Sequence, residues 1–145
     1  MVKIIVIRMR GMVNVAPDVK KTLDMLRLRK KFSCVIVDDN PETIGKLKKV
    51  QNYASYGPIK ENTIKQLILK RAKLPGNKPF KDEKKVEGFV KDFIEGKKNM
   101  KELGIKPFFR LHPPRGGFKR ETRKLFPKGI LGNNKEINKL VLKML

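Results

Sequence analysis

The first 57 residues alternate between strand-like and helix-like spacing of apolar side chains. Residues 3 to 9 and residues 32 to 37 are rich in Ile and Val, which predicts two β-strands. In the first strand Ile5 and Ile7 share one face, whereas the opposite face ends in the basic Arg8. We therefore expect one face of this strand to lie in the core and the other to end at a basic surface.

A helix is predicted after each of these strands, and each helix has a recognisable start. Pro17 followed by Asp18 suits a first helical turn, and Asn40 before Pro41 predicts an N-cap. A third short strand, from about residue 53 to residue 56, completes the order β-α-β-α-β. Right-handed crossovers would bring the three strands into one sheet with both helices on one face. The pattern therefore predicts an open sandwich of the α+β class.

The residues from 60 to 145 predict a helical, loop-rich extension to a core formed by residues 1 to 59. Helices are expected at about residues 60–72, 82–95 and 134–145, and a short strand at residues 108–111. Residues 112 to 134 contain seven Pro and Gly residues, and their apolar side chains show no period, which predicts a long loop. Asn134 can cap the last helix, so we expect the chain end to dock on a core.

Composition adds a strong positive charge to this picture. The 145 residues include 36 Lys and Arg against 14 Asp and Glu, a net charge of +22. Residues 1 to 57 carry 12 basic and 5 acidic side chains, and the remainder carries 24 and 9. Such a chain repels itself unless a polyanion neutralises it, so we expect a nucleic acid as partner. The longest apolar runs, such as Ile4 to Ile7, are far too short to cross a bilayer, and no membrane partner is expected.

The densest charge lies in the predicted loop. Residues 106 to 128 carry eight Lys and Arg against one Glu, a net charge of +7 in 23 positions. Arginine binds phosphate with two parallel hydrogen bonds, and glycine lets a main chain approach a sugar-phosphate backbone closely. Phe118 could stack on an unpaired base. We predict a basic, polyanion-binding loop at residues 106–132, with these candidate residues: Arg110, Arg115, Gly116, Gly117, Phe118, Lys119, Arg120 and Arg123.

Residue types with catalytic or metal-binding chemistry are scarce. His112 is the only histidine and Cys34 the only cysteine, which excludes a multi-cysteine zinc site and a His-based triad with a spare partner. We expect Cys34 to be a small buried apolar residue, and the adjacent Asp38 and Asp39 to serve in a turn or cap. No nucleotide-binding glycine motif is present, so neither a cofactor nor a small-molecule substrate is expected.

Four segments together resemble one known family. They are Leu26–Lys31, Asp39–Ile44, His112–Phe118 and Gly132–Leu140. Over nearly its whole length the chain is similar to large-ribosomal-subunit protein thirty, in the longer archaeal and eukaryotic form that is numbered seven in eukaryotes. The resemblance implies a ferredoxin-like β-α-β-α-β core with a C-terminal extension that the short bacterial form lacks.

The resemblance also implies a function. It implies a cytoplasmic, non-enzymatic component of the large ribosomal subunit that binds large-subunit ribosomal RNA beside neighbouring ribosomal proteins and helps attach the small (5S) ribosomal RNA. Two alternatives stay open: a small ferredoxin-like phosphohydrolase that uses the Pro-Pro-Arg-Gly-Gly segment as an anion nest, and a general basic nucleic-acid-binding protein. Carried onto matching positions, the resemblance makes these residues candidates for RNA contact: Arg27, Arg29, Lys30, Lys46, Lys49, Arg115, Gly116, Gly117 and Phe118.

Overall fold

The computed structural model contains both helices and strands among the residues that it describes. The described residues are 3–9, 16–71, 73–74, 78–79, 83–95, 108–117, 121–126 and 128–144. The helices among them are α1 (Pro17–Met25), α2 (Pro41–Lys49), α3 (Glu61–Arg71), α4 (Glu83–Ile94) and α5 (Ile137–Met144). The strands are β1 (Lys3–Arg8), β2 (Ser33–Asp38), β3 (Ala54–Pro58), β4 (Lys73–Leu74), β5 (Lys78–Pro79), β6 (Phe109–Arg110), β7 (Glu121–Leu125) and β8 (Gly129–Asn133).

The first two helices begin with the chemistry predicted for them. Pro17 and Pro41 each occupy the first helical position, where the missing N–H of proline leaves no hydrogen bond unmade. Asn40 caps α2, since its Oδ1 accepts a hydrogen bond from the backbone N–H of Thr43 at 2.8 Å. The predicted cap is confirmed, and α3, α4 and α5 lie inside the ranges predicted for them.

Asn40→Ala is expected to lower the free energy of unfolding by about 1 kcal/mol, because the first turn of α2 loses a hydrogen-bond acceptor. Urea denaturation followed by circular dichroism measures the change. Asn40→Asp is the matched control, since its carboxylate keeps an acceptor at the same place and caps a helix about as well as asparagine. Equal losses in the two variants would contradict the cap as the source of this stability.

Six of the strands form one sheet in the order β6-β2-β1-β3-β8-β7, and β4 pairs with β5. β1 lies between β2 and β3 and runs antiparallel to both. Right-handed crossovers were expected between the first three strands. A crossover connects parallel strands, whereas β1 and β2 are antiparallel, so the link between them is not a crossover. This link leaves and re-enters the sheet at the same end, where Ile7 pairs with Cys34. Of the three connected strands only β2 and β3 run parallel to each other, with α2 between them.

Helices cover both faces of the sheet. Ile4 and Val6 of β1 pack with apolar residues of α1 and α2, which confirms that these two helices share one face. On the opposite face Ile5 and Ile7 pack with α3, α4 and α5. Burial of β1 on both sides corrects the expected basic surface, because the side chain of Arg8 is only 1% exposed. The order β-α-β-α-β and the α+β class are confirmed, with the later elements laid over the second face.

The predicted long loop at residues 112–134 contains two strands. β8 runs parallel to β3, and β7 runs parallel to β8 at the edge of the sheet. Ile130 and Leu131 are adjacent in β8 and both are buried, so the strand is covered on both faces. A short strand buried on both faces shows no period of two, which is why its apolar spacing predicted a loop. The strand predicted at residues 108–111 is present as β6.

The last helix docks beside β3 through two asparagines. The backbone N–H of Asn134 donates to the carbonyl of Tyr56 at 2.8 Å, just before α5 begins. Asn138 bridges the link from β3 to α3, since its amide nitrogen donates to the carbonyl of Pro58 and its Oδ1 accepts the N–H of Lys60, each at 3.0 Å. The predicted docking of the chain end on the core is confirmed. The division of the chain at residues 59 and 60 stays a prediction.

Candidate nucleic-acid interface

The end of α1 leads into a mostly basic segment, residues 27–31, called the basic turn below. The N–H of Arg27 donates to the carbonyl of Asp24 at 3.0 Å, and the N–H of Leu28 donates to the carbonyl of Leu23 at 2.9 Å. These two bonds form a Schellman motif, in which the residue at the position of Arg27 takes the left-handed conformation. Arg27 has a φ of 63°. The motif ends the helix sharply and leaves the side chain of Arg27 exposed.

A buried arginine holds the basic turn from the core side. Nη1 of Arg8 donates to the carbonyl of Leu28 at 2.7 Å, and the carbonyl of Arg8 accepts the N–H of Phe32 at 2.7 Å. Burial lowers the pKa of the Arg8 guanidinium, and the nearby carboxylate of Asp24 opposes that shift. The basic turn is thus attached to β1 on both sides. The alternation of β1 placed Arg8 on a solvent-facing side, so this contact could not be predicted from the strand pattern.

The cations of the basic turn face solvent, and none of them has an acidic partner in the part of the chain that the structure describes. Arg27, Arg29 and Lys30 are exposed, and among the described residues no carboxylate lies within ion-pairing distance of them. Lys31 is also exposed, and its ammonium lies 5.1 Å from the centre of the Phe32 ring. A cation with no carboxylate beside it keeps its full charge for an external anion. Lys31 therefore adds one member to the predicted set.

Strand β6 brings a distant arginine to the basic turn. Arg110 pairs with Ser33 of β2, and the N–H of Ser33 donates to the carbonyl of Lys30 at 3.1 Å. The Arg110 guanidinium is 5.7 Å from the centre of the Phe108 ring, and the residue is exposed. Arg110 and the basic turn together are called the basic corner below. The structure therefore unites four of the predicted residues, Arg27, Arg29, Lys30 and Arg110, at one end of β2.

The Pro-Arg-Gly-Gly segment forms an exposed turn against the end of α5. The N–H of Gly117 donates to the carbonyl of Pro114 at 3.0 Å, and Gly116 has the left-handed φ of 78° that a type II turn requires at its third residue. The N–H of Arg115 donates to the carbonyl of Lys143 at 3.1 Å, which satisfies a carbonyl in the last turn of α5. Apart from its chain neighbours, no described residue lies within 4 Å of a Cβ placed on either glycine. An external backbone can therefore approach this turn closely.

The two predicted lysines of α2 each lie beside a carboxylate. Nζ of Lys46 is 3.5 Å from a carboxylate oxygen of Glu42, and Nζ of Lys49 is 3.7 Å from one of Asp18. Asp18 precedes Arg27 by nine residues. Nine residues of helix are about 13 Å long, at a rise of about 1.5 Å per residue. Lys49 is therefore held at the far end of α1, and both lysines are partly neutralised by carboxylates.

The remaining predicted residues lie elsewhere in the chain. Arg123 belongs to β7, which forms the opposite edge of the sheet from β6. Across a six-stranded sheet the two edges are separated by about 24 Å, since neighbouring strands are about 4.8 Å apart. The side chain of Arg123 lies outside the described part of the chain, as do Phe118, Lys119 and Arg120. Contacts of these four residues with RNA stay predictions.

Residue types with reactive chemistry occupy structural positions. Cys34 is fully buried in the core, as predicted, and burial raises the pKa of its thiol. The carboxylate of Asp38 forms an ion pair with Lys3, whose ammonium is 4.6 Å from the centre of the Phe93 ring. Within the described ranges, no group of three His, Cys, Asp or Glu residues could hold a metal ion. None of the described helices is long and apolar enough to cross a membrane.

Known proteins of similar sequence point to one family. A family model described as ribosomal protein L30p/L7e matches residues 4–54, which run from β1 to the start of β3. The chain is 42% identical over 149 residues to large ribosomal subunit protein uL30 of Archaeoglobus fulgidus, covering 96% of this chain and 97% of that protein. It is 43% identical over 156 residues to the uL30 protein of Staphylothermus marinus, covering 97% and 96%. The likeness therefore extends through the later elements as well.

Proposed function

The chain belongs to the L30p/L7e family of ribosomal proteins, and we propose that it binds large-subunit ribosomal RNA through the basic corner. As a member of this family it is a structural protein of the large subunit rather than an enzyme, and it works on the ribosome in the cytoplasm. One observation carries the proposal. The predicted cations of the basic corner are exposed and have no carboxylate partner among the described residues, whereas the predicted lysines of α2 have one each.

Electrostatic attraction is the proposed mechanism. The chain carries a net charge of +22, and each phosphate that a Lys or Arg neutralises releases counterions from the RNA. Arg27, Arg29 and Arg110 can each bind a phosphate with two parallel hydrogen bonds, which adds geometry to charge. The exposed turn at Arg115 offers a second contact, where open glycines admit a sugar-phosphate backbone. Phosphate contacts of this kind position the protein and carry little sequence choice.

We further propose that the chain helps attach the small (5S) ribosomal RNA and contacts neighbouring ribosomal proteins. The family likeness supports this role. The arrangement of charge supports it too, since Arg110 lies at one edge of the sheet and Lys124 of β7 at the other. Surfaces about 24 Å apart, five strand spacings, can touch two RNA segments at once. Lys124 of β7 is exposed at the second edge.

The salt dependence of RNA binding tests the main proposal. A labelled transcript of large-subunit ribosomal RNA is titrated with the protein at several salt concentrations. Contact of the five cations of the basic corner and of Arg115 with six phosphates of a duplex region predicts that log K falls against log salt with a slope of about −5, from about −0.9 per phosphate. A slope shallower than about −2 would contradict electrostatic binding.

Competition with duplex DNA separates an RNA-binding protein from a general basic one. At equal length and equal salt we expect the ribosomal transcript to displace DNA from the protein, because the basic corner and the turn at Arg115 are held in one geometry. Equal competition by the two nucleic acids would support the general basic protein instead. Co-sedimentation with large subunits in high salt is the matching measurement on the assembled particle.

A further inference from the structure

Two residues with left-handed backbone stand at the ends of the basic turn. Arg27 has a φ of 63° and Phe32 a φ of 65°, and in the described parts of the chain no other non-glycine residue has a positive φ. This conformation is unfavourable for residues with a Cβ atom, whereas glycine adopts it freely. Stability alone would favour glycine in place of the exposed Arg27. An exposed side chain kept on unfavourable backbone indicates a role outside the fold.

Arg8 touches this turn at both ends from the core side. Its Nη1 donates to the carbonyl of Leu28, and its own carbonyl accepts the N–H of Phe32, both at 2.7 Å. The side chain is 1% exposed, and a charged group taken out of water is unfavourable unless it is well bonded. An apolar side chain of similar volume would fill the same place without that penalty. The buried charge is bonded to the carbonyl of the turn that it holds, and the carboxylate of Asp24 also favours it.

We propose that Arg8 is a positioning residue for RNA binding, which holds the basic turn in its left-handed form so that Arg27, Arg29 and Lys30 meet the RNA backbone already ordered. The inference rests on the proposed function, because it explains how that same surface binds. A turn that is ordered in the free protein loses little conformational entropy when RNA binds. The unfavourable backbone and the buried charge lower the stability of the free protein, and the order that they impose raises affinity.

A purely structural role for Arg8 leads to different results. If Arg8 only stabilised the core, its replacement would lower the melting temperature, and the remaining folded protein would bind RNA as tightly as before. If Arg8 positions the turn, the folded variant binds more weakly and its turn opens more often. The salt slope stays the same in either case, because every exposed cation is still present. Affinity measured on folded protein, together with amide hydrogen exchange in the turn, separates the two roles.

Arg8→Met is the decisive variant, and Lys3→Met is its matched control. Lys3 is also a buried cation of β1 at 7% exposure, but it pairs with Asp38 at the other end of the strand. For Arg8→Met we expect about tenfold faster amide exchange at Leu28 and Phe32, about tenfold weaker binding to the transcript, and a salt slope within about one unit of the wild type. Lys3→Met should bind within about twofold of the wild type. Arg8→Lys, which keeps a charged donor, should recover most of the lost affinity.

Tight binding by folded Arg8→Met, despite faster exchange in the turn, would overturn the inference. If Arg8→Met does not fold, amide exchange of the RNA-free wild type tests the inference instead. Protected amides at residues 28 and 32 support an ordered turn, whereas exchange at the rate of an unstructured peptide refutes it. Failure of the proposed function looks different, because the wild type itself would then bind the transcript weakly and with a shallow salt slope. If the wild type binds tightly with a steep salt slope and Arg8→Met binds in the same way, this inference is wrong and the proposed function stands.

Discussion

Replacing Arg29, Lys30 and Arg110 together by glutamine is expected to weaken binding to a large-subunit ribosomal RNA transcript by about 100-fold at about 0.15 M salt. All three residues are exposed in the basic corner. Each phosphate contact that is lost leaves its counterions condensed on the RNA, so the slope of log K against log salt should become shallower by about 2 to 3. Fluorescence anisotropy titrations at several salt concentrations measure both the affinity and the slope.

The matched control removes three charges from α2 with the substitutions Lys46→Gln, Lys48→Gln and Lys49→Gln. The two triple variants have the same net charge, but Lys46 and Lys49 lie beside Glu42 and Asp18. Removing these cations, two of which are already partly neutralised, should weaken binding by less than about tenfold and change the slope by less than about one unit. Equal losses in the two variants would show that net charge alone governs binding, and the basic corner would lose its special role.

Gly57→Ala is expected to lower the free energy of unfolding by about 3 kcal/mol, at the upper end of the usual range for an overpacked core. A Cβ atom on Gly57 would lie 2.5 Å from the carbonyl oxygen of Asn134 and 2.9 Å from Cγ2 of Ile137. The oxygen belongs to a backbone held by the bond from the N–H of Asn134 to the carbonyl of Tyr56. It cannot move aside unless the start of α5 separates from β3. Urea denaturation followed by circular dichroism measures the loss.

Two other glycines provide controls for this substitution. Gly45 in α2 and Gly88 in α4 are exposed, and a Cβ atom on either would have no described residue within 4 Å other than its neighbours in the helix. Because alanine forms helices better than glycine, Gly45→Ala and Gly88→Ala should each raise the free energy of unfolding by up to about 1 kcal/mol. If Gly57→Ala proved as stable as these two variants, the close approach of α5 to β3 would be refuted.

The segments that carry the family resemblance serve the scaffold as much as the surface. Asn40 caps α2, and Asn138 ties α5 to the link between β3 and α3. Gly116 and Gly117 take left-handed backbone in the turn against α5. Exposed cations such as Arg29 and Arg115, within the same segments, are available to an external partner. A motif therefore points to a family, while exposure and ion pairing show which of its residues can bind.

Local signals predicted the helices, but the pairing of strands from distant parts of the sequence could not be predicted. Pro17 and Asn40 act on the next few residues, so their effect can be recognised in a short window. The pairing of Arg110 with Ser33 joins distant segments, and nothing in either segment alone indicates the other. β8 is buried on both faces, so it lacks the alternation that identifies a half-buried strand. The Schellman motif was not predicted either, because its left-handed position is occupied by Arg27 and not by the glycine that usually marks this motif.

Net charge and helix-forming pattern depend on residues that are close in the sequence, so they could be predicted from the sequence alone. The sequence therefore predicted a basic α+β protein of one family that suits a polyanionic partner. Which cations stand together was settled by folding. The contact of Arg8 with Leu28 and the pairing of Arg110 with Ser33 assemble the basic corner, while carboxylates partly neutralise Lys46 and Lys49. The physical reason is the short range of electrostatic interactions in salt water, about 10 Å or less. Within that range the neighbours of a side chain come from distant parts of the sequence, and only the folded chain brings them there.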